Sequence, residues 1–316
     1  MIKDEIFNND LVSYYEIDLK EIENYIKLTS KTFKISNING NSFFVKKTIP
    51  NALEKYHFLS NQGVNNILYP ITNSNNKYVT RNDFHCFYIN NYFDSFNVKD
   101  EIKTINMYNE LNNLHKMTVI KKQLNPVSAR PKFDEITNRL DFQFRILEDY
   151  VRTIESRNLY DYSMPILANY QYFLNAKGEL IKLQRRLIGS IKNKESVDYT
   201  YIHNNPHLDH LLNIKGVYYL TSLEKGKIGL SSLDLAKLYV ENEHLNIDFK
   251  NIIKEYYKNE NNLFGYDYFR FLVLIIFIKK INLTSSDYIN STTFIKVANS
   301  IKRYFDNFSD NQEEID

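Results

Sequence analysis

Alternating apolar and polar positions mark residues 1–92 as a region of short strands. The alternation predicts strands over residues 25–28, 32–35, 42–47, 67–71, 77–81 and 85–90. Asn39 and Gly40 form a hairpin signal after the second of these strands, and residues 73–76 predict another turn. A helix is predicted over residues 52–62, because this stretch follows Pro50 and ends at Gly63.

The pattern becomes helical after residue 93. Helices are predicted over residues 102–117, 133–157, 165–176 and 180–188. A loop-rich stretch over 201–220 carries short apolar runs, the chain is mostly helical again from Ser232, and a polar tail over 309–316 is expected to fray. This order predicts an α+β protein with two lobes, a small antiparallel β-rich lobe over 1–92 and a larger helical lobe over 93–316.

Composition limits the classes of partner. Forty basic and 38 acidic residues leave a net charge of +2, which does not favour a nucleic-acid partner. The most apolar run, residues 271–278, is far shorter than the roughly twenty residues that a membrane span needs, so no membrane insertion is expected. Residues 1–10 lack the features of a signal peptide. The single cysteine, Cys86, excludes a disulfide framework and agrees with a cytoplasmic location.

One segment carries polar residues in a distinctive order. They are His203, Asn205, His210, Ser222, Glu224 and Asp234. Their spacing resembles the catalytic region of the aminoglycoside phosphotransferase and choline-kinase superfamily, and most nearly its bacterial spore-coat branch. The resemblance extends over roughly residues 25–300 and implies a two-lobed protein-kinase-like fold with a ligand cleft between the lobes.

The resemblance implies a role for each position in the segment. His203 matches the family histidine, which fixes the loop, and Asn205 falls where the catalytic Asp belongs. His210 takes the place of the metal-binding Asn, and Ser222 that of the metal-binding Asp. If the resemblance holds, Asn205, His210 and Ser222 converge on one cleft, and the lobes meet near residues 90–95.

Further positions extend the resemblance beyond this core. Glu224 matches an acid that often follows the metal-binding Asp, and Asp234 matches a structural Asp, interpreted here as a helix N-cap. Upstream, residues 111–116 are similar to the family's Leu-His helix. Lys46 corresponds to the nucleotide-binding lysine and Glu54 to its helix partner, so an ion pair between Lys46 and Glu54 is expected.

The departures from the family pattern remove the chemistry of phosphoryl transfer. That reaction needs a carboxylate to accept the proton of the attacking hydroxyl, and Mg²⁺ held by carboxylate and amide oxygens. An amide at Asn205 has no basic site for the proton, and losing a general base typically costs about 10²–10⁴ in rate. Ser222 offers a neutral hydroxyl, and His210 a nitrogen that suits zinc better than magnesium.

The sequence therefore predicts a catalytically inactive kinase-like protein, a pseudokinase with a binding or scaffolding role. A protein partner is expected, in spore-coat assembly or beside an active kinase of the same family. ATP, with or without Mg²⁺, or another small molecule is a candidate ligand of the cleft.

Two alternatives stay open. Glu224, helped by Asp209, would hold a metal in a divergent ATP-dependent phosphotransferase that acts on an alcohol group. His207, Asp209 and His210 form a candidate transition-metal cluster, since imidazole and carboxylate are ordinary zinc ligands. The competing interpretation of this cluster is structural, with His203 fixing the loop and His207 on its surface.

Overall fold

The computed structural model describes residues 14–15, 22–81, 86–94, 98–156, 162–258 and 263–309. The chain forms two compact units. The first consists of Met1–Thr118 and Tyr201–Ile228, and the second of Val119–Thr200 and Gly229–Asp316. The predicted boundary between residues 92 and 93 stays a prediction. The predicted features of residues 1–10, 90–95 and 309–316 lie wholly or partly outside the described residues.

A five-stranded sheet dominates the first unit, with the strand order β1-β2-β3-β5-β4. The strands are β1 Ile22–Lys27, β2 Thr32–Asn37, β3 Ser42–Lys47, β4 Thr80–Arg81 and β5 Cys86–Asn91, and the described pairings are antiparallel. Gly40 has a φ of 82° in the turn before β3, which is why a glycine suits this position.

The two faces of this sheet have different roles. One face buries an apolar cluster consisting of Phe33, Ile35, Val45, Phe87 and Ile89. Because successive side chains of a strand point to opposite faces, the other face carries Lys46 and Tyr88, which are direct neighbours in the register of β3 and β5. The apolar core of this lobe thereby fixes which way Lys46 points.

The rest of the first unit surrounds that second face. It contains helix α1 Ala52–Asn61, helix α2 Asp100–Met117 and the hairpin of β8 Leu211–Ile214 with β9 Val217–Leu220. Residues 67–71 were predicted to be a strand, but only Ile67 pairs, in a single parallel bridge to Leu220. Lys215 and Gly216 form the hairpin turn with φ values of 52° and 87°, the left-handed conformation that tight hairpins require.

The second unit is helical apart from short strands. Its helices are α3 Pro126–Glu155, α4 Ser163–Lys192, α5 Ser232–Asn242, α6 Phe249–Lys258, α7 Leu263–Lys279 and α8 Asp287–Phe308. Its strand β6 Ile120–Gln123 pairs with β7 Ser196–Ile202, and β10 Lys227–Leu230 precedes α5. Among the described residues, no helix combines the length and apolar character that spanning a bilayer requires. The α+β prediction is confirmed.

Three helix predictions were wrong in detail. The helices predicted over 165–176 and 180–188 are one helix of 30 residues, because Gly178 interrupts the apolar pattern without breaking the helix. Helix α3 begins at Pro126 rather than 133, and Asn125 caps it by accepting the Val127 N–H. Asp234 is not an N-cap, since α5 begins at Ser232 and places the buried Asp234 in its first turn.

A buried ion pair crosses the core of the second unit. Arg270 of α7 is only 1% exposed, and its Nη2 donates to Glu179 Oε1 of α4 at 2.5 Å. Arg270 Nε also donates to the Tyr304 hydroxyl of α8 at 3.3 Å. The guanidinium therefore links three helices whose other contacts are mostly apolar.

We expect Arg270→Ala to lower the free energy of unfolding by about 3–5 kcal/mol, because it leaves the Glu179 carboxylate buried without its cation. Arg139→Ala on α3 is the matched control, since Arg139 pairs with Glu135 at an exposed site and its loss should change stability little. Urea unfolding of the two variants tests this. Equal stability losses would contradict a special contribution from the buried pair.

Candidate functional site

The candidate site lies in the first unit, around Lys46 at the end of β3. Lys46 Nζ donates to Ser222 Oγ at 2.8 Å. The same ammonium lies 3.1 Å from Glu224 Oε1 and 3.2 Å from Glu224 Oε2. The lysine thus contacts both oxygens of one carboxylate and the hydroxyl two residues before it.

Glu224 is buried, and its charge is stabilised from two directions. The Tyr88 hydroxyl donates to Glu224 Oε1 at 2.5 Å. Tyr88 is also the direct neighbour of Lys46 across the sheet. Burial by itself raises the pKa of Glu224, but the charge of Lys46 and the hydrogen bond from Tyr88 outweigh it, so the pKa is lowered overall. Glu224 is therefore a carboxylate at neutral pH.

A pair of buried tyrosines backs this ion pair. Tyr56 of α1 and Tyr88 are each 1% exposed, and their rings meet edge-on with centroids 5.8 Å apart. Burial raises the pKa of both phenols well above the ordinary value, with Glu224 adding to the shift. Both phenols stay protonated, which keeps Tyr88 a hydrogen-bond donor to the carboxylate.

The segment that carries Glu224, residues 222–226, has an unusual backbone. Ser222 has the left-handed values φ 61° and ψ 42°, which are uncommon for a residue with a side chain, and Leu223–Lys225 form one turn of 3₁₀ helix. The Tyr201 hydroxyl donates to Leu223 O at 3.0 Å, and Lys55 Nζ donates to Glu224 O. These contacts hold the carboxylate at Lys46.

Gly226 ends this segment where no other residue fits. A Cβ at this position would lie 2.4 Å from the ring of Tyr201, closer than side-chain carbons pack. The Tyr201 ring is itself stacked on Phe58 of α1, with centroids 5.8 Å apart. A side chain at residue 226 would therefore displace either the ring or the segment.

The loop after β7 is organised by His203. This histidine is fully buried, and its Nδ1 accepts the Asn205 N–H at 3.3 Å. Its Nε2 therefore carries the proton and donates to Thr221 O at 2.8 Å. One neutral imidazole thus ties the loop at Asn205 to the residue before Ser222.

His210 closes the same loop. Its Nδ1 lies 2.9 Å from Asn205 O, and its ring stacks on that of His203 with centroids 5.4 Å apart. The Thr221 N–H donates to His210 O at 2.8 Å. Burial lowers the pKa of His210 to about 4, and the nearby charge of Lys46 adds to this effect. His210 is a neutral imidazole at physiological pH.

Asn205 and His210 contact each other, and Ser222 follows Thr221, which bonds to both the His203 ring and the His210 backbone. The convergence of all three on one cleft stays a prediction. The structure does not bring Glu54 to Lys46. Glu54 is exposed on α1, and the partner of Lys46 is Glu224. The expected pair of Lys46 with Glu54 is corrected on this point.

Tyr88, Lys55 and Tyr201 belong to the site and were not predicted from the sequence. Nothing in the local sequence distinguishes Lys55 from the other lysines, or Tyr88 and Tyr201 from the rest of the 25 tyrosines. Alternation along β5 places Tyr88 on the face of Lys46, and this is the one signal that would have found it.

The predicted metal ligands do not form a metal site in the described residues. There, no three His, Cys, Asp or Glu side chains are grouped so as to hold an ion. His207 and Asp209 are exposed and pair with each other, with Nδ1 and Oδ2 3.3 Å apart. Glu224 lies two residues after Ser222 and is the carboxylate that a Mg²⁺ ion would use there, but its oxygens already meet Lys46 and Tyr88.

A separate polar cavity of about 480 Å³ lies at the other end of β3. It is lined by the β2–β3 turn and the chain after β5, including Lys34, Ser42, Tyr92 and Asp94. Lys34 Nζ sits over the Tyr92 ring, 3.8 Å from its centroid. The cavity is distinct from the ion pair at Lys46, whose members contact one another directly.

No family model and no curated protein matches the sequence. Solved structures do match. An aminoglycoside phosphotransferase from Alicyclobacillus acidocaldarius gives a TM-score of 0.59 at 12% identity, over 92% of each chain. The AMP-bound spectinomycin phosphotransferase gives 0.54 at 15% identity, over 95% of this chain and 98% of that one.

The chain has the fold of the aminoglycoside phosphotransferases. An amicoumacin kinase in complex with AMP-PNP and Ca²⁺ is also similar, with a TM-score of 0.50 at 10% identity over 94% of this chain and 93% of that one. The resemblance inferred from residues 203–238 is thereby confirmed at the level of the phosphotransferase fold. At such identities the likeness concerns the fold alone, and the chemistry has to be argued from the residues in place.

The lowered pKa of His210 predicts a pH dependence of stability. Between the ordinary pKa of 6.5 and about 4 the unfolded chain binds a proton that the folded protein rejects. The stabilisation is complete above pH 6.5 and is lost as the pH falls, so the free energy of unfolding should drop by about 2 kcal/mol between pH 7 and pH 5.

His210→Gln should remove most of this drop, whereas His207→Gln, at an exposed neighbouring position, should keep it. Urea unfolding at the two pH values measures the difference. A drop of the same size in His210→Gln and wild type would show that another group causes the pH dependence.

Proposed function

We propose that this protein is a pseudokinase, a phosphotransferase fold that binds a partner without transferring phosphate. The observation that carries the proposal is the state of Lys46. Its ammonium is paired with the buried carboxylate of Glu224, in a site where Asn205, His210 and Ser222 supply no other carboxylate. A metal at this site would have to use the oxygens of Glu224, which already meet Lys46 and the Tyr88 hydroxyl.

The geometry of the loop supports the same proposal. Asn205 and His210 are occupied with each other, since the His210 Nδ1 lies 2.9 Å from Asn205 O and 3.4 Å from Asn205 Nδ2. An amide has no basic site, and a pKa of about 4 makes the His210 imidazole a weak base, so neither residue is suited to take a proton from an alcohol. The loop is built as a stable turn rather than as an acid–base site.

Glu224 supports a second candidate, a divergent ATP-dependent phosphotransferase. It is an ionised carboxylate two residues after Ser222, and the similar amicoumacin kinase was solved with AMP-PNP and Ca²⁺. For Glu224 to hold a metal, the ion would have to displace both Lys46 and the Tyr88 hydroxyl. Because a bound metal would cost Glu224 both of these existing partners, we rank the enzyme second.

The binding role calls for a partner, and we propose a protein. The family resemblance suggests two settings in the cytoplasm, assembly of a spore coat or association with an active kinase of the same family. A nucleotide is the first small molecule to test, because the similar spectinomycin phosphotransferase was solved with AMP. ATP bound with or without Mg²⁺ is compatible with a pseudokinase.

The proposal is tested by following ADP formation from ATP with Mg²⁺ or Mn²⁺, alongside thermal shifts with the same ligands. We expect no ADP above the background of spontaneous hydrolysis, because the site lacks a general base. Any nucleotide that binds only the folded state raises its stability with concentration, so thermal shifts report binding even without turnover.

Metal-dependent ADP formation that is absent in Glu224→Gln would overturn the pseudokinase and establish the second candidate. Asp209→Asn is the matched control, since it removes an exposed carboxylate from the same region and should leave any activity unchanged if Glu224 alone holds the metal.

A further inference from the structure

Glu224 occupies a set of donors that suits an oxyanion. The ammonium of Lys46 and the hydroxyl of Tyr88 surround its two oxygens at distances between 2.5 and 3.2 Å. The Ser222 hydroxyl, which accepts from Lys46 at 2.8 Å, adds a third polar group. A site made of one ammonium group and neutral hydroxyl groups would bind the oxygens of a phosphate group as readily as those of a carboxylate.

The carboxylate reaches these donors on a segment in which three successive backbone oxygens, those of residues 223–225, accept hydrogen bonds from side chains. Residues 222–226 lie between β9 and β10 and include the left-handed Ser222. The contacts from Tyr201 and Lys55 are to backbone oxygens, so they set the path of the segment rather than the chemistry of the site. A left-handed backbone at a residue other than glycine costs free energy, and such strain is found at ligand clamps and switch segments.

We propose that Glu224 is an internal ligand of an oxyanion site formed by Lys46, Tyr88 and Ser222, and that residues 222–226 act as a plug which a phosphate-bearing ligand displaces. The inference rests on the proposed function, because it describes how binding at the same site is regulated in a protein that does not turn over its ligand. In this proposal, ligand binding is coupled to movement of residues 222–226.

The charges explain why the exchange is feasible. Withdrawing Glu224 alone would leave the largely buried Lys46 ammonium without an anion, which is unfavourable. An incoming phosphate restores the pairing, while the released carboxylate regains the hydration that burial had removed. The apparent affinity of such a ligand is lowered by the fraction of molecules in which the plug is open.

Calorimetric titration of metal-free protein with inorganic pyrophosphate, ADP and adenosine tests the plug. Glu224→Gln removes the competing charge and nearly conserves shape. We expect this variant to bind pyrophosphate and ADP at least about tenfold more tightly than wild type, a change equivalent to about 1.4 kcal/mol. Adenosine has no oxyanion and should bind equally to both. In the double variant Lys46→Gln/Glu224→Gln the gain should disappear.

A second variant keeps every charge in place and disturbs only the plug. Gly226→Ala places a methyl group against the Tyr201 ring. We expect it to bind pyrophosphate at least about fivefold more tightly, because overpacking of the plugged state shifts the equilibrium by that factor or more. Gly178→Ala in α4 is the matched control, since a Cβ there meets no atom within 4 Å and its affinity should equal that of wild type.

The outcomes are distinct. The plug is overturned if Glu224→Gln and Gly226→Ala both bind pyrophosphate with wild-type affinity and circular dichroism shows that both variants are folded. A gain that extends to adenosine, or that survives the loss of Lys46, overturns it as well. Should Glu224→Gln fail to fold, Gly226→Ala decides alone. ADP formation by the wild type would refute the pseudokinase, whatever the titrations show about competition at Lys46.

Discussion

The ion pair of Lys46 with Glu224 is the interaction on which the candidate site depends. It joins β3 to the segment after β9, and the Tyr88 hydroxyl completes it from β5. A buried pair of this kind gives little net stability, yet either charge left alone would be costly. The two residues therefore hold each other in place, and everything that touches one of them is positioned relative to the other.

The surroundings of the pair are built to preserve it. The apolar cluster on one face of the sheet turns Lys46 towards the other face, and the tyrosines Tyr56 and Tyr88 exclude water from the carboxylate. Tyr201 and Gly226 fix the segment that delivers Glu224. His203 bonds to the N–H of Asn205 and to the carbonyl oxygen of Thr221, and so positions Ser222, the next residue.

The phosphotransferase fold and the residues of the candidate site are separate features of this chain. The antiparallel sheet is present, and the buried His203 holds the loop after β7 through its two hydrogen bonds. At the candidate site Lys46 is paired with Glu224, and Asn205, His210 and Ser222 carry no carboxylate. In the proposed exchange, the charge of Glu224 decides whether the site is closed or open to an anion.

The sequence by itself determined the α+β class, most of the strands of the sheet, and the order of the residues from His203 to Asp234. These features are local, because alternation, turn residues and spacing act within a few residues of one another. Gly178 shows the limit of local signals, since the packing of α4 carries the helix through a position where the pattern stops.

Only the tertiary structure decided the partner of Lys46. Glu54 lies eight positions away in the sequence and was the expected partner, but Glu224, 178 positions away, is the residue that meets the ammonium. Such a choice depends on how β3, β5 and the segment after β9 pack in space. The energy of an ion pair follows distance and burial, and neither is encoded in the spacing of residues along a chain.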